Sequence, residues 1–309
     1  MEALTFFLET RATTKKQCTV ETCPISDSVY GYYPNKAANI FFLILFAISF
    51  AAHLFQGVKA RSWTFLIAFG VGAFGEAVGY VGRLLLRKDP FSKEYITILL
   101  VPLTVAPAFL AGGIYLTLKH LIIVYGAKFS RLAPRWYTWI FVSCDIFSIC
   151  VQSLGAAVAA TGSDPSRGNN IMMVGLCSQV ATLVVFGIMA VDVFLRIRKH
   201  SGSFNVSTAT LRESKRYKGL IAAIITAYVA ILIRCVYRIA EMSGGWRNPI
   251  MQNEPGFIVL DGCTCAIACI TMNIFHPGFL FKESTAALKA ETAANDNEMV
   301  STNTETESK

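Results

Sequence analysis

An all-α, seven-helix membrane bundle is the fold class this sequence predicts, and three observations predict it. Hydrophobic residues make up 54% of the 309 and charged residues only 16%, against about a quarter charged in soluble globular domains. Mean hydropathy is +0.49. The apolar residues gather into seven runs of roughly 20 residues or more, the length that crosses a hydrocarbon core about 30 Å thick at 1.5 Å rise per residue. The net charge of +8 does not signal nucleic acid, because the basic residues lie between apolar runs and not on a patch interleaved with aromatics. Anionic lipid headgroups are the expected counterpart. A Rossmann glycine fingerprint, a Walker-type phosphate loop and an H-E-x-x-H helix are missing from the sequence, which excludes a nucleotide-powered engine.

The first 36 residues open on an acidic residue and lack a basic stretch followed by an apolar one. No cleavable signal peptide is therefore expected, and the first helix acts as signal anchor. Cys18 and Cys23 in this stretch either bridge in an oxidising lumen or remain thiols. The spans are expected at 38–58, 63–86, 96–118, 136–160, 171–195, 219–242 and 257–281, which makes 37–282 the transmembrane domain. Pro102 and Pro107 fall inside the third, where a helix kinks unless neighbours satisfy the freed carbonyls; a short re-entrant break is the alternative. Asn205-Val206-Ser207 matches a glycosylation sequon within the fifth loop. Residues 283–309 are polar and lack aromatics, the composition of a disordered tail.

Orientation follows from Lys and Arg, because positive loops stay cytoplasmic. The first, third and fifth loops with the C-terminal tail carry 15 of them, among them Arg131, Arg196 and Lys215, whereas the opposite side carries 9. The N-terminus is thus expected outside and the C-terminus inside, with the sequon on the cytoplasmic side and unused. The plasma membrane is the first expectation for location, an internal membrane the second.

Function is sought in the polar residues that interrupt apolar helices, since a charge at the bilayer centre costs about 2.5 kcal/mol or more and normally faces a cavity or partner. Glu76, Tyr80 and Arg83 are spaced i, i+4, i+7 and share one stripe of the second helix. Arg234, Arg238 and Glu241 repeat that spacing in the sixth. Asp145 and Gln152 lie seven apart in the fourth, Gln179 is in the fifth, and Asp261 opens the seventh. Helix directions put most of these in the outer half of the membrane, with Glu76 and Asp145 nearer the midplane. The expectation is an outward-facing polar pocket in which acids and guanidiniums neutralise one another. Buried ion pairs that only fix helix register are the plainer reading of the same residues.

An amphiphile suits this mixture, its head against carboxylates and arginines and its tail along apolar helix faces. For uphill transport Glu76, Asp145 or Asp261 would carry the proton. His53, His120 and His276 cluster near the expected inner ends of their helices with Asp192 at similar depth, and are weak candidates for a metal or haem site; packing roles are the commoner use of such histidines. A metal-dependent membrane lipid hydrolase is the enzymatic alternative that this would support. Cys263, Cys265 and Cys269 fit close helix packing better than metal binding. A seven-helix lipid sensor is the third class. The third helix ends Leu121-Ile122-Ile123-Val124-Tyr125 without an Asp-Arg-Tyr-like motif, and the seventh reads Asn273-Ile274-Phe275-His276-Pro277. It has no lysine before Lys282, which excludes a retinal Schiff base.

Several ordered motifs resemble one family. They are Tyr30-Gly31-Tyr32 with Pro34, His53-Leu54-Phe55-Gln56, Glu76 with Gly79-Tyr80 and Arg83, and Asp145 with Gln152-Ser153-Leu154-Gly155. Asp192, Arg234 with Tyr237-Arg238 and Glu241, Glu254, Asp261 and His276-Pro277-Gly278 continue the series. Over residues 30–281 the chain resembles the fungal RTA-like proteins, also called the lipid-translocating exporter family. The resemblance implies a seven-helix fungal membrane protein. Members are connected with export of sphingoid long-chain bases, resistance to toxic compounds such as sterol analogues, and protoporphyrin movement. Phe257 stands where the family usually has an aromatic with a hydroxyl, so a contact through that hydroxyl is not expected here. The combined expectation is a non-enzymatic translocator or exporter of lipids or related amphiphiles, conferring resistance, with no cofactor. Its pathway would be lined or organised by Glu76, Tyr80, Arg83, Asp145, Gln152, Arg234, Arg238, Glu241, Glu254 and Asp261.

Overall fold

Each apolar run folds as a helix that extends past its hydrophobic stretch into polar ends. The computed structural model describes residues 19–125, 130–161, 165–199 and 214–281. Among them seven helices are long and apolar enough to cross a membrane: α1 (Lys36–Ala60), α2 (Trp63–Leu86), α3 (Lys93–Tyr125), α4 (Pro134–Thr161), α5 (Pro165–Lys199), α6 (Lys215–Ser243) and α7 (Glu254–Phe281). The chain is a multi-pass integral membrane protein.

Local chemistry sets the ends. The Asn35 side chain accepts from the Ala38 amide at 3.2 Å, Ser214 from Tyr217 at 3.2 Å and Asn253 from Gly256 at 3.1 Å, which caps α1, α6 and α7. Proline, preset for the first helical position, opens α4 and α5. Lysine and arginine stems carry α3, α5 and α6 beyond the expected 96–118, 171–195 and 219–242, because such side chains can keep a charged head in water while the stem stays in the apolar layer. Hydropathy alone under-reads such ends. α3 runs unbroken through Pro102 and Pro107, so the re-entrant alternative is corrected.

The helices form a ring in chain order, with α7 closing against α1, and α3 also reaches α6 across the interior. In their most apolar stretches 61% of α2 and 50% of α7 are buried in protein, against 28% of α1, α4 and α5. The polar stripes lie on α2, α6 and α7, so they face inward. α2 approaches α3 through Gly82, where a Cβ would come within 2.6 Å of the Leu99 amide nitrogen. Lateral contact this close needs a residue without a side chain. The Asn205 sequon and residues 283–309 lie outside the described residues, as does Cys18; Cys23 is disulfide-bonded.

Candidate functional site

The two predicted stripes converge. Glu76, Tyr80 and Arg83 on α2 and Arg234, Arg238 and Glu241 on α6 are all buried, and α7 brings Asp261 between them. A π-helical turn over Ile258–Cys263 carries Asp261 and Gly262 into the core; such turns insert a residue and re-aim the helix face. Arg234 Nε lies 3.1 Å from Asp261 Oδ1 and its Nη2 lies 3.7 Å from Glu76 Oε1. The same guanidinium donates to the Leu103 carbonyl. That acceptor is available because Pro107, four residues on, has no N–H to offer it. One turn nearer the N-terminal face Arg238 pairs with Glu241. Asn248 donates to the Glu241 carbonyl and fixes the loop above.

At the N-terminal face residues 30–35 fold over the end of this column. Arg83 Nη2 donates to Tyr32 Oη at 2.9 Å and lies 3.4 Å from Glu254 Oε1. Its guanidinium sits 3.9 Å from the centre of the Phe257 ring, with Tyr30 and Tyr32 at 5.6 and 5.9 Å. Glu254 also accepts from the Asn35 amide at 2.6 Å, and Arg87 donates to the Pro34 carbonyl at 2.8 Å. Burial pushes the Tyr30 and Tyr32 hydroxyls above their ordinary pKa, so both rings meet Arg83 as neutral phenols. Below them Tyr80 stacks on Phe42 and Phe46, with ring centres 5.1 and 5.6 Å away.

Asp145 and Gln152 stand apart from the column. Gln152 Nε2 donates to Gln179 Oε1 at 3.2 Å across α4 and α5. Asp145 is at the wall of a cavity of about 340 Å³ between α2, α3 and α4, otherwise lined by Ile67, Phe109, Gly112, Val142 and Ile146 among others. The residue is 2% exposed, and no basic side chain pairs with its carboxyl among the described residues. The Tyr115 hydroxyl is its polar neighbour.

Residues 69–284 match the family described as RTA1 like protein. The chain belongs to the RTA1-like family. It is 33% identical over 301 residues to the sphingoid long-chain base transporter RSB1 of Saccharomyces cerevisiae (strain ATCC 204508 / S288c), an alignment covering 87% of this chain and 78% of that one. It is 24% identical over 268 residues to the probable lipid transporter atnI of Emericella nidulans, covering 81% of this chain and 68% of that one. Identity to protoporphyrin uptake protein 1 of Saccharomyces cerevisiae is 26% over 284 residues, covering 80% and 91%. No solved structure gives a significant match.

In this RTA1-like chain the four metal candidates do not converge. His53 and His276 face each other with ring centres 6.0 Å apart, and His53 stacks on Phe69. His120 stacks instead on Phe281 at 4.8 Å, and its Nδ1 contacts the Leu116 carbonyl at 2.8 Å. Asp192 is held by Arg131 at 3.1 Å and Arg196 at 2.9 Å. Among the described residues no three His, Cys, Asp or Glu side chains form a group able to hold a metal. Cys265 and Cys269 are buried in helix contacts and Cys263 is half-buried.

Sequence reasoning left Tyr30, Tyr32, Tyr115, Asn248 and the Leu103 carbonyl out of the site. The Tyr30-Gly31-Tyr32 motif was a signal for the first two. Pro107 inside an apolar helix was a signal for the carbonyl, because an interior proline always orphans the acceptor four residues before it.

Proposed function

We propose that this protein moves lipids or related amphiphiles across the membrane, with its N-terminus exoplasmic and its C-terminus cytoplasmic. The observation that carries the reading is a charged column built inside an apolar bundle, in a chain whose relatives are named as transporters of a sphingoid long-chain base and of lipid. Charge of this kind is costly to keep at membrane depth, and intramembrane ionisable residues commonly mark passage or recognition. The relatives' names support a non-enzymatic role. Candidate substrates are single-chain amine lipids, sterol-like molecules and other toxic amphiphiles, whose removal would confer resistance.

The orientation is supported by 15 Lys and Arg on the loops of one side against 9 on the other and by a disulfide at Cys23, which fits an oxidising compartment. Glu76, Tyr80, Arg83, Arg234, Arg238, Glu241, Glu254 and Asp261 organise the pathway, while Asp145 and Gln152 flank it. The column is closed at the N-terminal face by residues 30–35, so passage there requires Arg83 and Glu254 to release that segment.

Reconstitution into liposomes with labelled long-chain base, sterol and phospholipid tests the proposal. Protein-dependent flux of at least one of them is the expected result. Equal movement with and without protein for all three removes it.

A further inference from the structure

Among the described residues each buried arginine has a carboxylate. Arg83 has Glu254, Arg234 has Asp261 and Glu76, and Arg238 has Glu241. Asp145 is the buried acid outside these pairs: among the described residues it has no ion pair, and its polar neighbour is the uncharged Tyr115 hydroxyl. A carboxylate placed in an apolar setting without a counter-charge is expensive, and a cation delivered to it recovers part of that cost.

The surroundings define what can deliver one. The wall around Asp145 is apolar apart from Thr64 and Thr138, and Ile67 and Ile146 are exposed on the outer surface of the helices, where acyl chains lie. The cavity therefore opens sideways between α2 and α4. Its volume of about 340 Å³ falls in the range of small-molecule sites, about 300–1,000 Å³. Asp145 is 11 residues into α4, which at 1.5 Å per residue is about half of a 30 Å hydrocarbon core. A lateral cavity between α1 and α7 differs: its polar residues are Ser49 and Asn273, and Asn273 donates to Ser49 Oγ at 2.6 Å.

We infer that the α2–α3–α4 groove binds a single-chain amphiphile with a cationic amine head, the ammonium on Asp145 and the chain leaving between Ile67 and Ile146 into the bilayer. The ligand comes from the surrounding membrane, and in that respect the assignment rests on the lipid-translocation reading. A headgroup is least hydrated at mid-depth, and Asp145 supplies its counter-charge there. A neutral alcohol of the same chain length fills the groove but leaves the carboxylate unpaired.

The test uses full-length protein in nanodiscs of zwitterionic phospholipid and a long-chain alkylamine carrying a mid-chain diazirine. Photolabel is expected on peptides bearing Ile67, Val142 and Ile146, with unlabelled alkylamine competing about tenfold better than the matching alcohol. Asp145→Asn keeps the shape and should abolish that preference. Gly112→Leu keeps the charge and fills the groove, since a Cβ there meets only Val142 Cγ2, at 3.9 Å; it should abolish the labelling. Amine preference retained in Asp145→Asn, or groove labelling retained in Gly112→Leu, overturns the assignment. Liposome flux measured on the same wild-type protein separates the two readings. Flux without groove labelling removes the site and leaves translocation standing, whereas amine-selective labelling without flux removes translocation and leaves the site.

Discussion

Replacing Arg234 by Met should be the most damaging single change in the bundle interior. The side chain is 3% exposed, and its guanidinium lies 3.1 Å from Asp261 and 3.7 Å from Glu76 while donating to the Leu103 carbonyl. Methionine fits the volume but strands two buried carboxylates and one carbonyl. Removing one partner of a buried pair costs about 3–5 kcal/mol. At about 2–4 °C per kcal/mol, a fall in apparent Tm of about 10 °C is expected in detergent at fixed scan rate. Asp261→Asn should cost more than Glu76→Gln, because the Asp261 contact is shorter. Arg234→Lys should recover only part of the loss, since an ammonium cannot serve three acceptors in the plane of a guanidinium. The triple variant Arg234→Met, Glu76→Gln, Asp261→Asn should melt well above Arg234→Met alone, because no charge is left unpaired. Differential scanning fluorimetry on the purified set measures all five. An Arg234→Met protein that melts within about 1 °C of wild type would refute the coupling of α2, α6 and α7 through this node.

Gly262→Ala should destabilise by about 1–3 kcal/mol, because the added Cβ comes within 2.5 Å of Tyr80 Oη and 3.0 Å of Phe42. Tyr80→Phe in the same chain should return part of this, and thermal melts of the pair check it. Phe257→Leu should cost about 1–2 kcal/mol through the lost ring beneath Arg83, while Phe257→Tyr keeps the ring and should stay close to wild type; denaturation midpoints distinguish them. In a cell-surface pool verified by surface biotinylation, a membrane-impermeant maleimide should label Cys23 only after reduction from outside, and labelling of that pool that requires permeabilisation would reverse the orientation.

Helix number and the inward stripes were legible because both depend on local periodicity. An i, i+4, i+7 series fixes one face whatever the neighbours do, and Glu76, Tyr80 and Arg83 are all within 1% exposure. Partner choice depends on which stripes meet, and periodicity does not encode that. Nothing in the spacing pairs Arg234 with Asp261 in preference to Asp145. The π-helical turn at Ile258–Cys263 was also hidden, because one inserted residue changes the helix phase without changing hydropathy. The metal candidates looked clustered because depth along helices was known and direction around them was not; His120 shares depth with His276 but faces Phe65 and Phe281.

Ion-pair register and ligand contact, rival readings of one set of residues in the sequence, belong to two places once the inferred groove site is set beside the column. Along the column every arginine is matched, and contacts of 3.1–3.7 Å tie α2, α6 and α7 into one body. A transported head would have to displace those pairs, at a cost its own charge repays only in part. At the groove the wall is Ile67, Phe109 and Val142, the acid has no basic partner among the described residues, and the opening faces lipid. Ligand charge entering there satisfies a group instead of breaking a pair. On the proposed reading the column organises the pathway by holding α2, α6 and α7 in register, while an amphiphile entering from the lipid side at α2–α4 meets Asp145 before any of those pairs.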